Sequence, residues 1–233
     1  MEFLDDNSLE KSGVVANCCM NRERSLAGSN GYAKQLGFNP LELLLEKAQA
    51  TGSAAWLDLC CGSGRALIEA ASLVRDRRPG SQCEIVGVDL VSSFAAKTSD
   101  SGCPRFVHAS LNEWQPGRAF DLITCVHGLH YIGDKLALIA RVAGWLTDDG
   151  YFAANLDLKN FKLTGGRSAS HAVSRELRHN GFVYHGRKRL VSCAGRRVAK
   201  FSLEYLGADD QAGPNYTRQP VVDSYYTRLD WAD

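Results

Sequence analysis

Asp58 and Asp89 each stand at the end of an apolar run, and two glycines, Gly62 and Gly64, lie between them. Residues 56–70 read WLDLCCGSGRALIEA and residues 84–89 read EIVGVD. A strand, a glycine-rich turn and a helix can present backbone N–H groups and a helix N-terminus to a nucleotide. The dinucleotide fingerprint G-x-G-x-x-G would need a glycine at 67, where Leu67 stands, and the Gly-Lys-Ser/Thr of a phosphate-binding loop is absent. What remains is a Gly-x-Gly turn preceded by a carboxylate, which suits a cationic amino group better than a pyrophosphate. Farther along, His127 directly follows another apolar run and is the first candidate for a base, because an ordinary imidazole takes a proton near neutral pH. His130 and Tyr131 lie close by, and Asn155 and Asp157 stand where they could orient a polar acceptor.

Such residues need a scaffold to hold them. Trp56–Cys60, Glu84–Asp89, Phe106–His108, Phe120–Cys125 and Tyr151–Leu156 are apolar runs of strand length. Helical patterns separate several of them: Leu41–Lys47 after Pro40, Arg65–Arg75, Lys135–Leu146, and Ala169–His179 ended by Asn180-Gly181. This rhythm predicts an α/β fold, a Rossmann-like doubly wound sheet that is mostly parallel, with ligands at the carboxyl ends of its strands. After residue 181 the pattern changes. Phe182–Ser192 and Val198–Leu206 alternate enough to predict a C-terminal antiparallel hairpin around Gly195-Arg196.

With 233 residues, 45% hydrophobic and 23% charged, the chain can bury an ordinary core, and its formal charge of +1 argues against a whole-protein role on nucleic acid or an acidic membrane. The eight cysteines fall partly inside strand-like runs, with no C-x-x-C pair and no Cys/His spacing typical of zinc. They read as free thiols in a reducing, cytoplasmic setting, with no metal. The first residues, MEFLDDNSLEKSG, are acidic, and no stretch approaches the roughly 20 apolar residues of a membrane span.

The motifs together resemble the class I S-adenosylmethionine-dependent methyltransferases of the small-molecule type. Leu57-Asp58-Leu59-Cys60-Cys61-Gly62-Ser63-Gly64 is similar to their first motif and Val86-Gly87-Val88-Asp89 to their second. Phe106–Leu111 resembles the segment that lines adenine, Phe120–His130 the strand-4 motif, and Leu146–Phe152 the turn into strand 5, so the resemblance covers roughly residues 50–185. It implies S-adenosyl-L-methionine as cofactor and S-adenosyl-L-homocysteine as product. Asp58 would then hold the methionyl amino group. Gly62 and Gly64 would let the backbone approach the cofactor, Asp89 would accept from the ribose hydroxyls, Ser110 and Leu111 would border the adenine, and Cys60, Leu90 and Cys125 would complete the site. The chain departs from the family at Cys60, where a glycine is usual, and at Ser110, where an aspartate often takes the adenine amino group.

Methyl transfer from a sulfonium is an in-line displacement, in which alignment can supply ~7–11 kcal/mol of the barrier. Residues 21–38, NRERSLAGSNGYAKQLGF, resemble the helical lid of small-molecule members, and Tyr32 is expected to face the reaction chamber alongside His127 and Asn155. The chain therefore divides into an N-terminal lid and first helix (1–50), a cofactor-binding core (51–207) and a tail packing on the core (208–233). Tyr216, Tyr225 and Tyr226 suit that tail to roofing the pocket or forming a homodimer. Eleven basic residues between Lys159 and Lys200 face one acid, Glu176, a local net of +10. Spread over a helix and a hairpin, they read as solvated surface, with nucleic acid not favoured. The expected function is methylation of an O or N atom of a small molecule. Three alternatives remain: intramolecular displacement that releases methylthioadenosine, RNA methylation through the basic region, and a non-catalytic cofactor-binding subunit.

Overall fold

The computed structural model of the chain describes residues 3–16, 23–77, 82–95 and 103–229. Cys18, Cys19 and Arg22, and residues 230–233 of the tail, lie outside the described residues. Four helices come first: α1 (Asp6–Glu10), α2 (Gly13–Ala16), α3 (Tyr32–Leu36) and α4 (Pro40–Thr51). Then follow β1 (Ser53–Leu59), α5 (Arg65–Arg77), β2 (Gln82–Asp89), β3 (Arg105–His108), β4 (Phe120–Cys125), α6 (Lys135–Gly144) and β5 (Leu146–Asn155). The C-terminal part adds β6 (Phe161–Leu163), α7 (Ser170–His179), β7 (Val183–His185), β8 (Leu190–Ala194), β9 (Leu203–Asp209) and β10 (Asp223–Arg228).

Seven strands make one sheet in the order β3-β2-β1-β4-β5-β8-β7. Strands β3 through β5 are parallel, and β8 runs antiparallel to both β5 and β7. The central strand shows why both faces must be covered. Ala55, Leu57 and Leu59 belong to a core that includes Leu138, Ile139 and Val142 of α6 and Val173 and Leu177 of α7. Ala54 and Trp56 point the other way, into a core with Leu41, Leu44 and Leu45 of α4 and Leu67 and Ala70 of α5. This two-residue alternation sends Asp58 to the α4/α5 face.

Local signals set the helices that frame the strand ends. The Asn39 side chain accepts from the Leu41 N–H, Pro40 occupies the first turn, and Gly52 (φ +85°) stops α4 just before β1. The Asp134 carboxylate accepts from the Ala137 N–H and starts α6.

The C-terminal hairpin has other partners than those predicted. It is built from β7 and β8, turning through residues 186–189, and β9 leaves for a second sheet in the order β6-β10-β9. Residues 190–193 of β8 are all buried. A strand buried on both faces takes an interior place in the sheet, here between β5 and β7. The tail is bound in through β10, where Ser224 and Tyr226 are fully buried. Lys135 of α6 reaches under it and donates to Ile132 O (2.8 Å), Val222 O (3.0 Å) and Ser224 Oγ (2.6 Å). Burial pushes this amine down to about 7.

Candidate active site

Strands β1, β2 and β4 end along one edge of the sheet, and the strand order reverses between β1 and β4, where open α/β sheets take their ligands. Beyond Leu59 the chain turns through Cys60 (φ +54°), Gly62 (φ +61°) and Gly64 (φ +74°) before α5 begins. Cys60 thus takes a left-handed conformation that costs an L-residue about 1–2 kcal/mol. Gly128 passes so close on the other side that a Cβ there would lie 2.7 Å from the sulfurs of both Cys60 and Cys125. The turn is a close-packed floor made of backbone and two thiols.

Asp58 is fully buried behind this floor. Its Oδ2 accepts from the Tyr32 hydroxyl at 2.7 Å and its Oδ1 from Thr124 Oγ1 at 2.5 Å. Burial pushes the carboxyl up to about 7, while the two hydroxyl donors pull it down. A folded-state value above the ordinary 3.8 means that this group's contribution to stability is complete below pH 3.8 and is lost as pH rises to about 7. Thr124 sits directly opposite Asp58 in the β1–β4 register.

Tyr32 does not face the cleft, contrary to the expectation from the sequence. It is 3% exposed, its ring meets Trp56 edge-on at 6.3 Å, and its hydroxyl is spent on Asp58. The short helix α3 turns that face inward because Tyr32 and Leu36 are its buried residues. Tyr32→Phe removes one donor from a buried carboxylate and is expected to cost about 1–2 kcal/mol. In a chain of this size that is a fall of roughly 3–6 °C in the thermal midpoint. A scan that returned the wild-type midpoint would show that the hydroxyl does not hold Asp58.

Asp89 stands at the tip of β2. Its Oδ2 accepts from the Gly62 N–H (2.8 Å) and its Oδ1 from the Val91 N–H (3.0 Å), so each oxygen keeps a lone pair for a ligand hydroxyl. A cleft opens beside it. Of the residues expected at the cofactor, Cys60, Asp89, Leu90 and Leu111 line that cleft, with Val126, His127, Gly128 and Asn112. Asp58 lies behind Cys60, and Cys125 is buried beneath it. Ser110 is not itself in the cleft lining and gives its hydroxyl to Glu10, which is, at 2.5 Å. From α1 and α2, Leu9, Glu10 and Val15 line the cleft; they lie within the 1–50 segment assigned to the lid and first helix, but ahead of the lid-like residues 21–38.

At the other end of the cleft His127 occupies a left-handed position (φ +61°) at the mouth of β4. Its Nε2 meets Gln35 Oε1 at 3.0 Å and its Nδ1 lies 3.4 Å from both His130 Nε2 and the Tyr216 hydroxyl. Asn155 supports it from behind, with Oδ1 accepting from the His127 N–H at 3.3 Å. With Gln35 accepting at Nε2, the basic lone pair is on Nδ1, aimed at His130 and Tyr216. Burial, aided by the Arg24 charge, pushes His127 down to about 3. Its preference for the neutral form supports the fold above pH 6.5 and is lost as pH falls toward 3. The ordinary imidazole value, on which the reading of His127 as a base relied, therefore does not apply. His130 is lower than usual for the same reason, and its Nδ1 is buried without a hydrogen-bond partner. Arg189 lies 3.9 Å over the Tyr216 ring and 3.7 Å from Asp157.

Thr124, Gln35 and Glu10 were not singled out by the sequence as site residues, whereas Tyr216 was expected in a tail suited to roofing the pocket and does reach His127. A polar residue inside the otherwise apolar run of β4 was a signal for Thr124; Gln35 and Glu10 come from distant segments. Among the described residues no group of three or more His, Cys, Asp or Glu side chains could hold a metal ion, and no helix is long and apolar enough to cross a membrane. The basic residues of 159–200 disperse: Lys162 pairs with Asp223 (3.3 Å), Arg189 with Asp157, and Arg197 donates to Gly181 O (2.7 Å).

A sheet in this order, with a glycine turn at its centre and a carboxylate at the ends of β1 and β2, defines the class I S-adenosylmethionine-dependent methyltransferases. The chain belongs to the methyltransferase-domain family, whose model matches residues 32–198. Two curated relatives, trans-aconitate 2-methyltransferases of Acidovorax sp. (strain JS42) and Acidovorax ebreus (strain TPSY), are each 30% identical over 154 residues. The match takes in 64% of this chain and 52% of each relative, so the chain spans about half their length. Among solved structures, magnesium protoporphyrin IX methyltransferase from Synechocystis PCC 6803, with bound S-adenosylmethionine, is 16% identical over 83% of this chain and 98% of that one, with a TM-score of 0.46. An amino pentose methyltransferase from Micromonospora echinaspora is 20% identical over 49% and 48%, with a TM-score of 0.36.

Proposed function

We propose that this chain transfers a methyl group from S-adenosylmethionine to a small molecule, and that a carboxylate oxygen is the acceptor its site suits best. One arrangement carries the reading: Asp58 and Asp89 flank the glycine turn at the switch point, and Asp89 lines a cleft there. The residues fit the cofactor. Asp58 is a buried carboxylate whose hydrogen bonds come from two neutral hydroxyls, and a cationic amino group is the partner that would offset its burial. Asp89 keeps acceptor capacity for a ribose diol, and Cys60, Leu90 and Leu111 offer apolar wall. When bound, S-adenosylmethionine supplies a methyl group on a sulfonium sulfur.

The chain's own part is to bind, orient and exclude water. His127 is held on both ring nitrogens and stays neutral, which supports a role in orienting the acceptor over one in removing its proton. An acceptor that is already an anion needs no base. Arg24 and Arg189 place positive charge around the His127–His130–Tyr216 group, which favours such an anion. The curated relatives, named for trans-aconitate, are consistent with this choice of class.

The reading is tested by incubating the chain with methyl-labelled donor and a panel of small carboxylic acids, amines and phenols. Label in a base-labile methyl ester, with release of S-adenosylhomocysteine, is the expected result. Label retained in amines would move the acceptor to nitrogen, and methylthioadenosine as product would replace transfer by intramolecular displacement. With both substrates saturating, kcat should stay flat between about pH 6 and 8, because neither histidine titrates there. A sigmoid rise centred near 6.5 would instead reveal an imidazole base.

A further inference from the structure

We propose that Glu10 of the N-terminal helix α1 reads the adenine base of the nucleoside cofactor, supplying across the cleft the carboxylate that position 110 lacks. The inference rests on the methyl-donor reading above. Ser110 stands just beyond β3, and its hydroxyl donates to Glu10 Oε1 at 2.5 Å; the Asn112 amide donates to the same oxygen at 2.8 Å. Two donors from the core thus fix one oxygen of Glu10, and the other keeps its acceptor capacity. Glu10 is half-buried and lines the same cleft as Asp89, Leu90, Val91, Leu111 and Asn112.

The order of these groups sets which end of a nucleoside each would meet. Asp58 lies behind the turn on the β1 side and Asp89 at the tip of β2, so the base falls farther along, toward the Leu111–Asn112 end. A carboxylate there presents acceptors only. It complements the 6-amino group of adenine and opposes the 6-oxo group of hypoxanthine. The helix that brings it is anchored independently of any ligand. Leu4 pairs with Ala208 of β9, Tyr205 donates to Asp6 (3.1 Å), and Leu9 and Val15 pack with Ala208 and Val222. The second sheet therefore positions the reader of the base.

Anchoring α1 and reading adenine separate experimentally. S-adenosylhomocysteine and S-inosylhomocysteine, which differ at the 6-position, are titrated into the full chain by calorimetry. The wild type is expected to prefer the adenosine compound at least about twentyfold, since a site built around one polar group rejects the analogue that lacks it. In Glu10→Ala the ratio should fall to within about threefold. Glu10→Gln keeps the side chain's length and can donate to the 6-oxo group, so its ratio should also fall. A carboxylate that only ties α1 to the core would weaken both compounds alike. A wild-type ratio retained in either folded variant overturns the proposal while leaving the methyl-donor reading intact. A wild type that takes up neither nucleoside overturns both.

Discussion

Asp58→Asn is expected to weaken S-adenosylmethionine binding about a hundredfold and to leave the free protein as stable as the wild type or more so. The two effects have opposite signs for one reason. In the free protein Asp58 is a fully buried carboxyl pushed up to about 7, so the fold is strained by its charge and not supported by it. Asparagine keeps the shape, and the Tyr32 and Thr124 hydroxyls can each reorient to donate or accept. The cofactor's ammonium, in contrast, loses its charged partner in a dry setting, a loss of roughly 3 kcal/mol or about two decades in Kd. The same titration gives a pH dependence. Donor affinity in the wild type should climb as pH rises through about 7, with a proton released on binding at lower pH, and Asp58→Asn should abolish the slope. Calorimetry in buffers of different ionisation enthalpy measures both. Equal affinity in the two proteins would remove Asp58 from the donor site.

Gly64→Ala is expected to cost about 2–4 kcal/mol of stability and to take donor binding with it. Gly64 has φ +74°, which penalises any side chain, and an added Cβ would overlap the ring of Phe106. That ring cannot easily yield, because it stacks on Phe94 with centroids 4.8 Å apart. Shifting the turn instead would move the Gly62 N–H away from Asp89. A double-mutant cycle separates the two contributions. Phe106→Ala should restore part of the stability lost by Gly64→Ala, about 1 kcal/mol or more, and leave the left-handed penalty in place. Additive effects would mean that the ring is not what the glycine avoids. Chemical denaturation of the four proteins provides the measurement.

The first motif was legible because its constraints are local. A glycine that must be left-handed, an acid at the end of an apolar run and a helix that begins at once are all written within nine residues, Asp58–Ala66. The parallel strands were legible for a similar reason, as apolar runs of the right length separated by helical patterns. Pairing was less so. Val198–Leu206 alternates well enough to suit a hairpin with its predecessor, yet the strand found there, β9, begins at Leu203 and pairs with β10. A strand's pattern records which face is buried and not which neighbour covers it.

Chemical roles were the least legible. Tyr32 looked like a chamber residue because it lies in a lid-like segment, but packing against Trp56 turned its hydroxyl onto Asp58. His127 looked like a base because imidazole usually titrates near neutrality, and burial among His130, Gln35 and Tyr216 removed that property. A pKa belongs to an environment, and the environment here is assembled from three separate segments. The sequence by itself determined the α/β class, the glycine turn and the two strand-end acids, since each follows from the conformational demands of a few adjacent residues. Only the tertiary structure decided that Thr124 and Tyr32 hold Asp58 and that Glu10 closes the cleft opposite Asn112, because contacts between residues up to 102 positions apart depend on how the layers pack.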